Sequence, residues 1–381
     1  MEGTKVQRLR RKRIRRLRNL ALLSLLLALA ILLSLPPRPT GGGDTIVLTM
    51  VYGSEKRGWI EQVAPLFQEW WEERHPNKSL ETRFTALGSR ESMNQVILGE
   101  IKPVIWSPAS SVWVPLANFM WRQEYGGEKP LVESWRPLVA SPVVIATWEW
   151  YRDQHNVTSW DSVHRLAGTQ GSDLRFAHTD PQLSNSGFMA LLMEVSAAAG
   201  RPTQDLTYED LLREDVRLWL RAVEGRAVMY GESTGFLADQ ATTSGPSGIN
   251  VFVVYENLVL EKNRQGEPRA RWGQSLVAVY PEEGVLMSDH PLCILDAPWV
   301  SEEQREAAEE FYSFLMLPEI QRIAMEHGFR PVNPEVELDP EVFGPENGVS
   351  GVIPSPILEA PGDGRVLRSI TDLWLISRPG G

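Results

Sequence analysis

The chain has 381 residues, 43% hydrophobic and 23% charged, which is ordinary globular material for one large or two medium domains and excludes a disordered or fibrous protein. The formal net charge is −11, yet nine basic residues crowd the first 18 positions against one acid, Glu2, leaving 29 basic and 48 acidic residues in the remainder. So acidic a body repels nucleic acid, and a single cysteine, Cys293, excludes an intramolecular disulfide and a cysteine-based zinc site.

Residues 20–35, LALLSLLLALAILLSL, carry no charge and follow the basic run directly. Such a segment is either a cleaved secretory signal or an uncleaved anchor whose positive end stays in the cytoplasm. The stretch after it, SLPPRPTGGGD, lacks the small-residue pattern a signal peptidase needs, which favours a transmembrane anchor. No cysteine follows the apolar run, which excludes a lipoprotein, and residues 36–43 read as a flexible tether.

The body opens with a buried strand over residues 45–52, TIVLTMVY, bounded by Gly53. Ser54 is placed to cap a helix whose apolar positions Trp59, Val63, Leu66, Phe67 and Trp70 recur at three- and four-residue steps. The same grammar returns with Ser89 before a helix over 91–98, Gly99 as its stop, and a short strand over 104–106 that ends in SPASS. Further strands are expected at 142–147, 175–179, 227–230, 249–255 and 275–280, and helices at 188–199, 215–224 and 302–317. Alternating strands and helices argue an α/β architecture with mainly parallel sheets. Cys293 falls in the apolar run 291–295 and reads as a buried thiol.

In such sheets a ligand sits beyond the carboxyl ends of the strands. Here those ends are rich in hydroxyls: Ser54, Ser89, residues 107–111, residues 184–186, Ser233 and Thr234. Hydroxyls and free backbone N–H groups at helix starts form a neutral donor cradle for oxyanions or polar molecules, although each serine alone is most simply a helix cap. The segment GESTG, residues 231–235, satisfies the G-x-S-x-G pattern of serine hydrolases, with Asp289, His290 and His327 downstream as candidate acid and base, but no His-Gly-Gly oxyanion segment precedes it. The six histidines, 75, 155, 164, 178, 290 and 327, show no ligand spacing, so no metal or cofactor is expected. Trp106, Trp113, Trp148 and Trp150 lie near strand ends and offer an alternative, an aromatic sugar-binding cleft. Arg90 beside the second loop could supply a charge, whereas Lys56 and Arg57 beside the first read as solvated.

Residues 88–118, 178–192, 231–237, 253–263, 279–295 and 311–334 together resemble bacterial extracellular solute-binding proteins of the type II periplasmic-binding class, which contains molybdate and sulfate receptors. Within that class the chain is similar to the binding half of proteins that also carry a von Willebrand factor A domain. The resemblance implies two lobes, residues 44–141 with 289–335 and residues 142–288, hinged by strands crossing near 141–146 and 289–295. Residues 1–43 would be the membrane or signal helix with its linker, and 336–381 a Pro-rich C-terminal tail of the kind that precedes the von Willebrand domain. Position by position, the resemblance points to Ser54, Ser89, Ser107, Ser110, Asn185 and Ser186 as ligand-binding, with Ser233, Thr234 and Tyr255 matched less closely. It further implies a small-molecule or oxyanion ligand, a membrane permease or von Willebrand domain protein as partner, and no catalysis. A serine hydrolase using GESTG and a membrane-anchored scaffold with a vestigial or sugar-binding cleft are the rival readings.

Overall fold

The computed structural model describes residues 45–380, so the apolar segment at 20–35 lies outside the described residues. Among those described, no helix is long and apolar enough to cross a membrane.

Strand β1 (Thr45–Tyr52) forms where the β-branched run predicts it, and pairs in parallel with β3 (Ile105–Ser107) in the register Met50↔Ile105 to Tyr52↔Ser107. With β2 (Ser79–Ala86), β11 (Pro291–Ile294) and β4 (Arg136–Pro137) they build a five-stranded sheet in the order β2-β1-β3-β11-β4. Helix α1 (Arg57–Arg74) covers it, burying Trp59, Ile60, Val63, Phe67 and Trp71, with the Phe67 ring tilted against that of Phe311 at a centroid distance of 4.7 Å. The inward stripe is rotated slightly from the expected one, and Leu66 faces outward. Ser54 does not cap α1; it opens a short 3-10 turn, Ser54–Lys56, with no side-chain cap, and its hydroxyl is left exposed.

The second sheet is centred on β5 (Val139–Trp148), whose near-continuous apolar run is what a strand buried on both faces requires. It pairs antiparallel with β12 (Arg330–Pro331), β10 (Val285–Ser288), β8 (Val251–Tyr255) and β9 (Leu276–Val279). Beyond β8 lie β6 (Phe176–Thr179) and β7 (Ala227–Gly231), parallel to their neighbours, and β13 (Ile357–Leu358) flanks β10. The sheets are therefore mixed and not mainly parallel, because a chain that leaves one sheet along β5 must return along strands running the other way.

The chain changes sheet at Leu138, between β4 and β5, slightly before the expected crossing, and again at Asp289–His290, between β10 and β11. His290 takes φ 43°, a left-handed conformation, where β10 runs on into β11 alongside β5 and β4 and the register shifts by one residue, from Ser288↔Ser141 to Pro291↔Pro137.

Residues 336–380 do not form a loose tail. Gly348 accepts a backbone bond from Ala278 at 2.7 Å, and β13 pairs with β10. A final helix, Gly364–Ser377, buries Val366, Leu367, Ile370, Leu373 and Trp374. Those positions step by three and four and form an amphipathic stripe that the preceding prolines mask in the sequence. Cys293 is buried as expected, and burial raises its thiol well above the usual range, which keeps it inert.

Candidate functional site

Three helix starts meet one cleft of about 370 Å³. Helix α2 (Ser89–Ile97) follows Gly88, and α3 (Trp113–Tyr125) packs behind it. Helix α4 (Asn185–Ala199) follows Ser184, α5 (Glu214–Glu224) packs on α4, and α6 (Thr234–Ser244) follows Ser233. Neither α2 nor α4 has a side-chain cap, so their first-turn N–H groups lack intrahelical partners. The two rims approach closely: a side-chain carbon on Gly88 would stand 3.7 Å from the Leu183 carbonyl oxygen.

Hydroxyls run from the core to the cleft in a chain. Thr179 Oγ1 is 2.9 Å from Ser186 Oγ, which is 2.8 Å from Thr234 Oγ1, itself 3.3 Å from Ser184 Oγ. A second relay crosses between the sheets: Trp113 Nε1 donates to Asn185 Oδ1 (2.6 Å), Asn185 Nδ2 donates to Tyr255 OH (2.9 Å), and Tyr255 donates to Glu55 Oε1 (3.4 Å). Burial, then Glu55, raises the Tyr255 hydroxyl well above its usual range, so it stays a donor. The other Glu55 oxygen is buried and unpartnered.

Of the residues singled out from sequence, Ser54, Ser89, Asn185, Ser233, Thr234 and Tyr255 line this cleft together. Ser89 Oγ accepts from the Ala109 N–H at 2.9 Å, which fixes the hydroxyl in place and leaves its own proton to donate. Ser186 stands one layer behind the wall, fully buried. Ser107 is fully buried with an unpartnered Oγ off the cleft wall, and Ser110 lines a separate cavity with Ser111 and Asp289.

The cleft also holds Glu55, Ser184, Glu232, Asn257 and Glu261, which sequence reasoning did not select, and His327, which it named only as a candidate acid or base. Ser184 sat inside a stretch already flagged; the glutamates carry no local signal, since a lone acid at a loop reads as solvated. Among the described residues, no lysine or arginine lines it. Lys56, expected in solvent, is completely buried, donating to Ser107 O (3.1 Å) and Pro108 O (3.2 Å). Arg90 is half-buried with Nη1 unpartnered, off the cleft wall.

Two rival readings fail on geometry. Ser233 is the N-cap of α6, its Oγ accepting from Phe236 N–H, with extended φ/ψ of −148°/160° in place of a strained elbow. His327 shares the cleft, but its Nε2 lies 2.8 Å from Gln62 Oε1, and no hydrogen bond joins it to Ser233. Trp106, Trp113 and Trp148 are fully buried, their Nε1 groups bonded to Ser92 Oγ, Asn185 Oδ1 and Ile249 O, and none of the four tryptophans proposed as a sugar platform lines the cleft.

Two sheets joined by short chain passages, with helix starts gathered on one cleft, are the architecture of a ligand-binding protein. Over residues 48–330 the chain matches the bacterial extracellular solute-binding proteins, and it belongs to that family. It is thus a non-enzymatic, extracellular or periplasmic solute-binding protein of the ABC-transport type. A sulfate-binding protein of Synechocystis sp. is 33% identical over 87 residues, which span 23% of this chain and 23% of that relative. Among solved structures, a periplasmic thiamin binding protein aligns at TM-score 0.60 and 12% identity, covering 91% of this chain and all of its own. A ferric binding protein from Campylobacter jejuni aligns at TM-score 0.59 and 12% identity, over 87% of this chain and 99% of its own. The two structural likenesses concern the fold alone; the three proteins are named for an anion, an organic cation and a metal ion.

Proposed function

We propose that the protein captures a small polar solute bearing an oxyanion group, closes two lobes over it and passes it to a membrane permease. The observation that carries this reading is the meeting of the α2, α4 and α6 starts on one cleft, with the Ser54 and Ser184 hydroxyls beside them. Free N–H groups at helix starts hold anions without any lysine or arginine. Glu55, Glu232 and Glu261 repel a bare dianion and accept bonds from hydroxyl or ammonium groups. The solute that satisfies both walls carries such donors along with its oxyanion. Closure would hinge where the chain changes sheet, at Leu138 and at Asp289–His290.

The test is a thermal-shift screen of the full chain against sulfate, phosphate, sugar phosphates, amino acids and cations, because a ligand that binds only the folded state raises its melting temperature. A sugar phosphate or amino acid should stabilise more than sulfate alone. Ser54→Ala and Ser184→Ala should each weaken the hit several-fold by calorimetry, with the ligand-free melting temperature unmoved. A hit without any oxyanion, or one indifferent to both substitutions, overturns the reading.

The basic run before residues 20–35 and the missing cleavage pattern support retention of that segment as a membrane anchor. Intact-mass measurement of the mature protein should find residues 20–35 attached; an N-terminus near Thr40 overturns the anchor.

A further inference from the structure

His178 on β6, Glu194 on α4 and Glu224 at the end of α5 are each completely buried, far from one another in sequence. One ligand atom from each lies within 4.8 Å of the others. His178 Nε2 is 2.9 Å from Glu224 Oε1, and the other Glu224 oxygen accepts from Tyr230 OH at 2.6 Å. Both Glu194 oxygens are buried without any hydrogen-bond partner. An unpartnered buried carboxylate is among the most costly groups a core can hold, so it must be neutralised by a proton or by a cation.

We propose that this cluster is a structural site for a divalent transition-metal ion, zinc fitting best, held by His178 Nε2 and the carboxylates of Glu194 and Glu224. The supporting shell is what a metal site needs. His178 Nδ1 lies 2.7 Å from the Thr179 carbonyl oxygen, an acceptor only, so Nδ1 carries the proton and Nε2 is left to ligate. Glu224 is oriented in turn by Tyr230. Two carboxylates and a neutral imidazole offset the charge of a divalent ion, leaving the core neutral. One nitrogen among few oxygens suits zinc, whereas calcium and magnesium take more ligands, all oxygen.

Trp374 of the final helix seals the cluster, its ring centroid 6.3 Å from that of His178 and 5.1 Å from that of Tyr230. The ion would therefore be taken up during folding, and would staple β6 to α4 and α5. That staple bears on the cleft, because Thr179, next to His178, begins the hydroxyl chain through Ser186 and Thr234.

The experiment uses full-length protein made without a histidine tag. Elemental analysis should find about one equivalent of zinc or a related ion per chain. Refolding from guanidinium with chelator should yield a lower-melting protein that zinc restores. Glu194→Gln, which imitates a protonated Glu194 in shape, should lose the ion and melt below wild type, with at least a tenfold weaker affinity in refolding titrations. Protein free of metal whose melting temperature ignores zinc on refolding overturns the site, as does a Glu194→Gln variant melting at or above wild type. The cluster would then hold a shared proton. The wild-type refolding arm decides the matter even if the variant fails to fold.

Discussion

Lys56 Nζ stands 3.3 Å from His290 Nδ1, joining the turn before α1 to the passage between β10 and β11. The ammonium group places its three protons on Ser107 O, Pro108 O and His290 Nδ1. His290 therefore carries its own proton on Nε2, 3.2 Å from Ser288 Oγ, and Ser288 in turn donates to Ala109 O at 2.6 Å. This directional network pins the loop after β3 to the second passage between the sheets. Burial pulls the Lys56 ammonium down to about 8, and burial followed by the Lys56 charge holds His290 well below its usual range.

Lys56→Met keeps the volume but leaves the Pro108 carbonyl and His290 Nδ1 unpaired inside the protein, and Ser107 O keeps only its bond from the Gly53 N–H. We expect a loss of about 2–4 kcal/mol in urea unfolding at pH 7. A variant as stable as wild type would mean that the lysine is not held in this network.

Because His290 stays neutral when folded but gains a proton when unfolded in acid, stability should fall as pH drops below about 6.5. His290→Asn removes that dependence and suits the left-handed backbone there. The wild-type minus variant stability difference should decline toward low pH with a slope approaching ~1.4 kcal/mol per pH unit. A flat difference between pH 5 and 7 would show that His290 is protonated in the fold. Lys56 acts at the other end: above about 8 the folded lysine releases its proton before the unfolded one, so its contribution grows with pH up to about 10.5.

The final helix, Gly364–Ser377, touches α3 beyond the first sheet and α4 and α5 on the second. Trp374 is completely buried, and Trp374→Ala should cost about 3–5 kcal/mol. Truncation after residue 335 should give a protein that fails to fold to a protease-resistant core. A stable truncated protein would restore the view of this segment as a linker.

Ser233 acts as a cap, so a fluorophosphonate probe should leave it unlabelled, and Ser233→Ala should cost about 1 kcal/mol. Covalent labelling that vanishes in Ser233→Ala would revive the hydrolase.

Most strands and helices were legible because their signals are local. Residues 45–52 alternate nowhere and form a buried strand, Gly99 ends α2 at φ 71°, and GESTG sits at a strand-to-helix turn. The hydroxyl-rich loops were legible as helix starts for the same reason. Their division into cleft and interior was not: Ser107 and Ser54 look alike in sequence, yet one is sealed off and the other faces the cleft.

The sequence by itself determined the α/β order and the exclusion of an intramolecular disulfide, since periodicity, turn residues and composition act over a few positions or over the whole chain. The family was legible through the resemblance of several whole segments to bacterial solute-binding proteins. Only the tertiary structure decided that Lys56 is buried, that three glutamates line the cleft, that the C-terminal helix belongs to the core, and that His178, Glu194 and Glu224 meet. Each of these depends on groups many residues apart brought within a few ångströms, and at such distances burial and neighbouring charge, which no local pattern encodes, set what a side chain can do.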